Sequence, residues 1–355
     1  MFDQTSILGL LDRGARSYLR PLFSQRLISN DSSLEFELIL RTNSRTFKAF
    51  RGTEPLLREV IEKSSSSLRL KTQLDNCLTS NNKWAGLDLT IPPIMGIVNV
   101  TPDSFSDGGD FAKSQTAIDH GIQLSTDGAS ILDVGGESTR PGASKPTIDE
   151  ELARILPVIG QLTKLGHIVS VDTRRTEVMK AAVEAGAQII NDVSALLGDA
   201  DSFAFVAQND LPVVLMHMQG TPETMQKAPT YDQVVLDVYD FLEQRVQACL
   251  DAGLDRENIA LDPGIGFGKT IDHNLSLINN LSVFKGLGCP ILIGLSRKAF
   301  IGKLSGAGEA KDRMAGTVAA NLESIRQGAS LLRVHDVKEN VQAVKIHKAL
   351  ESNSF

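Results

Sequence analysis

Cysteine is scarce in this 355-residue chain: there are three, Cys77, Cys249 and Cys289. Their spacing fits neither a metal-ligand pattern nor a disulfide framework, which points to a reducing, cytoplasmic setting. Positive charge is also short. The net charge of −7 disfavours general affinity for nucleic acid or an anionic membrane, so any anionic ligand must be met by a local cationic cluster. No apolar run approaches the length of a membrane span. The opening "MFDQTSILGLLDRGARSYLRP" is not expected to act as a signal peptide, because its short apolar stretch is broken by Asp12 and Arg13. No Ser/His/Asp or Cys/His arrangement for nucleophilic catalysis is evident either. What remains, 42% hydrophobic and 22% charged residues, describes a soluble globular protein with room for one large domain and a small one, or for two ordinary ones.

Residues 1–90 and 91–355 read differently. The first part holds a strand candidate, "LEFELILR" (34–41), a serine run at Ser64–Ser67 and a linker-like "LTSNNKWAG" (78–86) with the single tryptophan, Trp84. No chemical constellation appears there, and it reads as a structural extension. From residue 91, short β-rich runs alternate with helix-length amphipathic segments. The strand candidates are "IMGIVNV" (94–100), "SILDVGG" (130–136), "HIVSVDT" (167–173), "QIINDVS" (188–194), "PVVLMH" (212–217), "NIALDPG" (258–264), "PILIGLS" (290–296) and "SLLRVHD" (330–336). "TIDE", Thr147–Glu150, has the form of a capping box. One phrase recurs: Gly128, Gly186 and Gly328 suit the turn after a helix, and five residues on stand Asp133, Asn191 and Arg333. Eight such units in roughly 260 residues predict a (β/α)8 barrel, with a doubly wound open sheet as the other arrangement.

"LDPGIGFGKT" (261–270) imitates a phosphate-binding loop. The spacing rules that out, because Pro263 stands where the first glycine must offer its N–H. Gly-x-Gly-x-x-Gly fails too, because Gly264 and Gly266 are followed by Lys269. In a barrel, function sits at the C-terminal strand ends. Those ends offer Asn99, Asp133 with Glu137 to Arg140, Asp172, Asn191, Asp192, His217, Asp262, Ser296, Arg297, Lys298, Arg333, His335 and Asp336. Any single one of these could be an ordinary satisfied polar residue, but a polar residue at every end is harder to dismiss. Asn99, Arg333 and His335 come from the first and last strands, neighbours in a closed barrel. They suggest an anion site, with a local salt bridge as the alternative. Asp172, Asn191, Asp262 and Lys298 could read the edge of a polar heterocycle, or could form an internal ion-pair network.

Six segments resemble the dihydropteroate synthases: "IMGIVNVTPDSFSDGG" (94–109), "DVGGESTRPG" (133–142), "LMHMQGTPETMQ" (215–226), "LDPGIGFGKT", "GLSRKAFIG" (294–302) and "RVHDV" (333–337). The resemblance covers about residues 91–350, in the family's order. It implies condensation of 6-hydroxymethyl-7,8-dihydropterin diphosphate with p-aminobenzoate, releasing diphosphate. It implies a pterin pocket of Asp172, Asn191, Met216, Asp262, Gly294 and Lys298. It implies diphosphate held by Asn99, Thr139, Arg140, Arg333 and His335, with Mg2+ on Asn99. Phe105, Pro141, Phe267 and Ser296 would enclose p-aminobenzoate, its carboxylate near Ser296 at a helix start. Asp107, Arg140, Asp172 and Lys298 would be catalytic, Asp107 and Arg140 on loops that close over the site. A homodimer and sulfonamide binding are further implications.

Departures from the family pattern are Arg174–Arg175, Ala299 and the extension before residue 91, which is too short for a fused pyrophosphokinase. A methyltetrahydrofolate-dependent methyltransferase of the same barrel type should lack the diphosphate segments. An inactive pterin-binding homologue should show erosion at the positions named, and none is visible.

Overall fold

The computed structural model describes residues 3–22, 34–43, 45–64, 67–79, 82–101, 110–137, 145–221 and 224–353. The N-terminal unit runs α1 (Gln4–Asp12), β1 (Arg16–Pro21), β2 (Glu35–Arg41), β3 (Thr46–Thr53), α2 (Glu54–Lys63), α3 (Leu68–Leu78). Its three strands form an antiparallel sheet in the order β1-β2-β3. In β2 the apolar residues Phe36, Leu38 and Leu40 alternate and are fully buried, together with Leu19, Leu57, Leu70 and Leu74. The expected strand at 34–41 is therefore present, within a separate small core.

The segment expected as a linker is partly a hairpin, β4 (Lys83–Trp84) and β5 (Leu87–Asp88). Ala85 and Gly86 make its turn with φ of 49° and 76°. That is the backbone a tight hairpin needs, but Ala-Gly is not the usual sequence signal for it. Trp84 is buried rather than exposed on a tether.

The larger part runs β6 (Ile94–Asn99), α4 (Asp110–Thr126), β7 (Ile131–Gly135), α5 (Ile148–Lys164), β8 (Val169–Asp172), α6 (Thr176–Glu184), β9 (Ile189–Asp192), α7 (Ser202–Gln208) and β10 (Val213–Met216). It continues with α8 (Val234–Asp251), β11 (Ile259–Asp262), α9 (Ile271–Asn279), β12 (Leu292–Ile293), α10 (Ala299–Ser305), α11 (Met314–Arg326), β13 (Leu331–Val334) and α12 (Val337–Ser352). All eight predicted strands are present, each shorter than its apolar run. The shortest, β12, begins only after Pro290, which has no N–H for the ladder.

The strands are parallel in the order β11-β10-β9-β8-β7-β6-β13-β12. A parallel bridge between Leu261 and Ile291 joins the two ends, with the Leu261 N–H donating to the Pro290 carbonyl at 2.9 Å. The barrel is closed, so the open sheet is excluded. Thr147 and Glu150 form the expected capping box at α5. Gly128, Gly186 and Gly328 have φ of 107°, 108° and 100°, as the recurrent phrase predicts. Among the described residues no helix is long and apolar enough to cross a membrane.

Candidate active site

The barrel interior is built in layers. Met95, Ile131, Ile189, Val214, Ala260, Leu292 and Leu331, one from each of seven strands, pack into an apolar floor sealed from below by Trp84 and Leu89. Side chains two apart on a strand share a face. One step up the same faces come Ile97, Asp133, Asn191, Met216, Asp262, Gly294 and Arg333. Thus the residues read from separate motifs are one layer of one barrel, facing its C-terminal mouth.

Asp133 organises this layer. It is fully buried, and its Oδ2 accepts from Asn191 Nδ2 at 3.1 Å and from Arg333 Nε at 2.6 Å. The other guanidinium nitrogen of Arg333 donates to Asp172 Oδ2 at 2.6 Å. The salt bridge set beside the anion-site reading is therefore the one Arg333 makes, twice over. It joins the two residue groupings that the sequence kept apart. Burial pushes the Asp172 carboxyl up to about 7, with Arg333 pulling the other way.

Asp262 ends β11. Its Oδ1 accepts the Gly264 N–H at 2.7 Å, while burial raises its pKa. Gly264 itself has φ +69°, and a Cβ there would lie 1.9 Å from the His217 carbonyl oxygen. This answers the puzzle of "LDPGIGFGKT": its glycines make a turn pressed against the end of β10, not a phosphate cradle. Gly294 is open where it faces Asp262, since a Cβ there would still be 3.8 Å from Oδ2. Lys298 sits with Nζ 4.0 Å from the centre of the Phe267 ring, a cation–π contact, and burial lowers its pKa to about 8. Met216 is buried at the end of β10.

Lys269 went unassigned from sequence and proves to be a buried part of the site. It is 3% exposed, and its Nζ meets His217 Nδ1 at 2.9 Å, the Phe267 carbonyl at 3.0 Å and the His217 carbonyl at 3.4 Å. Burial lowers its pKa to about 7, against the pull of Asp262. Burial, then Lys269, pushes His217 down to about 2. The sequence signal was its place five residues after Gly264, inside a turn that packs inward.

The anion-site residues are arranged differently from expectation. His335 lies just beyond β13, where its N–H donates to Ser296 Oγ at 3.0 Å and its Nδ1 lies 2.9 Å from the same oxygen. Burial, then Arg297 and Arg333, lowers its pKa to about 3, so at neutral pH it offers an N–H and no charge. Ser296 does not start a helix: the N-cap of α10 is Lys298, two residues later. Between them Arg297 takes φ +58° and forks onto Asp336 at 3.0 and 2.5 Å. That strained link turns Ser296 and Lys298 into the mouth. Asn99 is half-buried at the end of β6, in register with Gly135. Phe105, Asp107, Thr139, Arg140 and Pro141 lie outside the described residues.

The family described as "Pterin binding enzyme" matches residues 95–335. The dihydropteroate synthase of Neisseria meningitidis serogroup B is 48% identical over 273 residues, 76% of this chain and 95% of that protein. Among solved structures, Xanthomonas albilineans dihydropteroate synthase with 4-aminobenzoic acid superposes with a TM-score of 0.71 at 48% identity, covering 75% of this chain and 95% of that one. The same organism's enzyme in complex with 7,8-dihydropteroate gives 0.69 at 45% identity, covering 75% and 96%.

Proposed function

This chain belongs to the pterin-binding enzymes and, within them, to the dihydropteroate synthases, and from that premise we propose how its residues carry the reaction. The substrates are 6-hydroxymethyl-7,8-dihydropterin diphosphate and p-aminobenzoate. The amine nitrogen forms a bond to the pterin methylene carbon, the carbon–oxygen bond to diphosphate breaks, and the amine gives up a proton. The observation that carries the reading is the single polar layer Asp133, Asn191, Asp262 and Arg333 above an apolar floor, with Asp172 and Lys298 at its rim. Opposed carboxylates and donors of this kind suit the amino and oxo edge of a pterin.

An aromatic amine attacks unaided, so no side-chain nucleophile is needed, and the work is positioning and electrostatics. Lys298 over Phe267 and Asp262 below would orient the ring. Asn99, Arg333 and His335 would receive the diphosphate. Arg333 must then share its charge between Asp133, Asp172 and the ligand. An anion beside His335 would favour its protonated form. Among the described residues no three His, Cys, Asp or Glu side chains gather as a metal group. The single amide oxygen of Asn99 therefore suits a Mg2+ ion that takes its other ligands from phosphate oxygens and water. Bound there, the ion would neutralise leaving-group charge. Phe105, Asp107, Thr139, Arg140 and Pro141 would complete the site from the two mouth loops, and Phe267 and Ser296 would line the p-aminobenzoate side, where sulfonamides would compete.

A homodimer is part of this reading. Ile346 and Leu350, 59% and 69% exposed and one turn apart on α12, support an apolar contact there. Three buried free cysteines support a reducing, cytoplasmic setting. The decisive assay supplies the pterin diphosphate and Mg2+ with and without p-aminobenzoate. Dihydropteroate formed in step with diphosphate establishes the synthase. Release without the amine indicates that the leaving group departs first. Folded protein giving neither result refutes the reading.

A further inference from the structure

The N-terminal unit lies outside the matched family region, yet it is joined to the barrel at a place that leads to the pterin turn. Helix α8 carries Asp237, Asp240 and Glu243 at helical spacing, a column of like charge that would repel itself if left bare. The unit answers it with arginines. Arg16 donates to Asp240 at 2.7 Å, Arg69 pairs with Glu243, and Arg41 donates to Asp237 at 2.7 Å and to Asp232 at 2.8 Å. Of these, Arg41 alone grips a residue ahead of the helix as well as one within it. Asp237 uses its other oxygen to accept the N–H groups of Asp232 at 2.9 Å and Gln233 at 3.1 Å. The last residues of the β10–α8 connection are thus pinned from both sides.

The next residue back is Tyr231. Its hydroxyl donates to the Gly268 carbonyl at 2.8 Å, and its ring packs edge-on to His273 at 5.0 Å. The same connection holds the turn again through Gln226, whose Nε2 donates to the Gly266 carbonyl at 2.7 Å. Gly266 and Gly268 belong to the turn that follows Asp262 and places Phe267 beneath Lys298. A path therefore runs from the N-terminal sheet, through Arg41, Asp237 and Asp232 and along the chain to Tyr231, to the segment that shapes the pterin pocket.

We infer that the N-terminal unit is a positioning element for the pterin turn, with Arg41 as its positioning residue acting through Tyr231. The inference rests on the pterin reading of the site. It concerns pterin affinity first: on the p-aminobenzoate side Phe267 rides on the same turn, while Ser296, in the β12–α10 segment, receives no contact from Arg41 among the described residues.

The test measures the dissociation constant of the pterin diphosphate by calorimetry in the full chain, beside turnover KM for p-aminobenzoate and the melting temperature. The variants are Arg41→Met, Arg41→Lys, Tyr231→Phe and the Arg41→Met/Tyr231→Phe double. Lysine keeps the charge and protects folding, but it cannot fork onto two carboxylates. Arg41→Met and Arg41→Lys are each expected to weaken pterin binding about 3- to 10-fold, within the span of coupling carried by residues that touch no ligand. KM for p-aminobenzoate should change less, because only Phe267 of that side lies on the turn. The double variant should bind pterin no worse than Tyr231→Phe alone, because both changes cut one path. A lower melting temperature with unchanged pterin affinity would overturn the inference, as would multiplied effects in the double variant or equal losses for both substrates. Wild type that binds pterin but forms no product would overturn the synthase reading while leaving this comparison measurable.

Discussion

The barrel and the N-terminal unit handle polar groups in opposite ways. The N-terminal unit keeps an apolar core of Leu19, Phe36, Leu38, Leu57 and Leu74 and places Arg16, Arg41 and Arg69 at the seam with α8. The barrel does the reverse at its mouth: Asp133, Asn191, Asp262 and Lys269 are buried, held by one another and by the backbone. Buried charges are costly unless paired, so a protein tolerates them where a ligand needs them. Seam charges stay near water and cost little. Where a charge sits thus separates binding from fastening, and the contrast can be tested by breaking charges in both places.

The largest effect is expected in the barrel. Asp262→Ala or Lys298→Ala should weaken pterin binding about 100-fold or more, since each removes a group that would hold the pterin in a buried layer and leaves the other charge less compensated. Calorimetry with the pterin diphosphate checks this, and equal affinity in wild type and Asp262→Ala would refute the assignment. Gly264→Ala should cost about 3 kcal/mol or more of stability, because the left-handed backbone and the nearby His217 carbonyl both exclude a Cβ. Denaturant unfolding reads that directly.

Lys269→Met sharpens the contrast. It leaves His217 Nδ1 and the carbonyls of His217 and Phe267 without their donor, so it should cost about 1–3 kcal/mol of stability, and pterin affinity should fall about 10-fold as the turn beside Asp262 loses its tie. A loss of stability with unchanged pterin affinity would make Lys269 merely structural.

His335 supplies a pH test. Its pKa is depressed to about 3 in the folded chain. Between the ordinary histidine value and about 3, the unfolded chain binds a proton that the folded one refuses, so this group's contribution to stability falls as pH falls. Unfolding curves of wild type and His335→Asn should therefore converge as pH drops through that window. Divergence would show that His335 is protonated in the fold.

The smallest effect belongs to the seam. Arg16→Ala removes pairs to Asp240 and Glu243 in which the arginine side chain is 40% exposed, and it should cost under about 1 kcal/mol. A larger loss would mean that the unit is fastened by single ion pairs and not by its packed interface.

Much of the barrel is legible in the residues themselves. Eight apolar runs, the Thr147 capping box and the three helix-ending glycines each report a local rule, and local rules act within a few residues. The hairpin at Trp84 was hidden because its Ala85-Gly86 turn lacks the common signal and its stability comes from a tryptophan closing a floor built by seven distant strands. Lys269 was hidden because a lysine after glycines resembles a phosphate ligand until the turn is seen folded against His217.

By itself the sequence determined which residues alternate inward, where helices begin and end, and that Asp133, Asn191, Asp262 and Arg333 stand at strand ends. Only the tertiary structure decided what those residues do to one another. Pairing of β13 with β6 brings side chains 200 residues apart into hydrogen-bond range, so that Arg333 meets Asp133 and Asp172 and the two groupings become one. Ionisation follows from the same pairing, because burial and neighbours, not residue type, move Asp172 to about 7 and His335 to about 3.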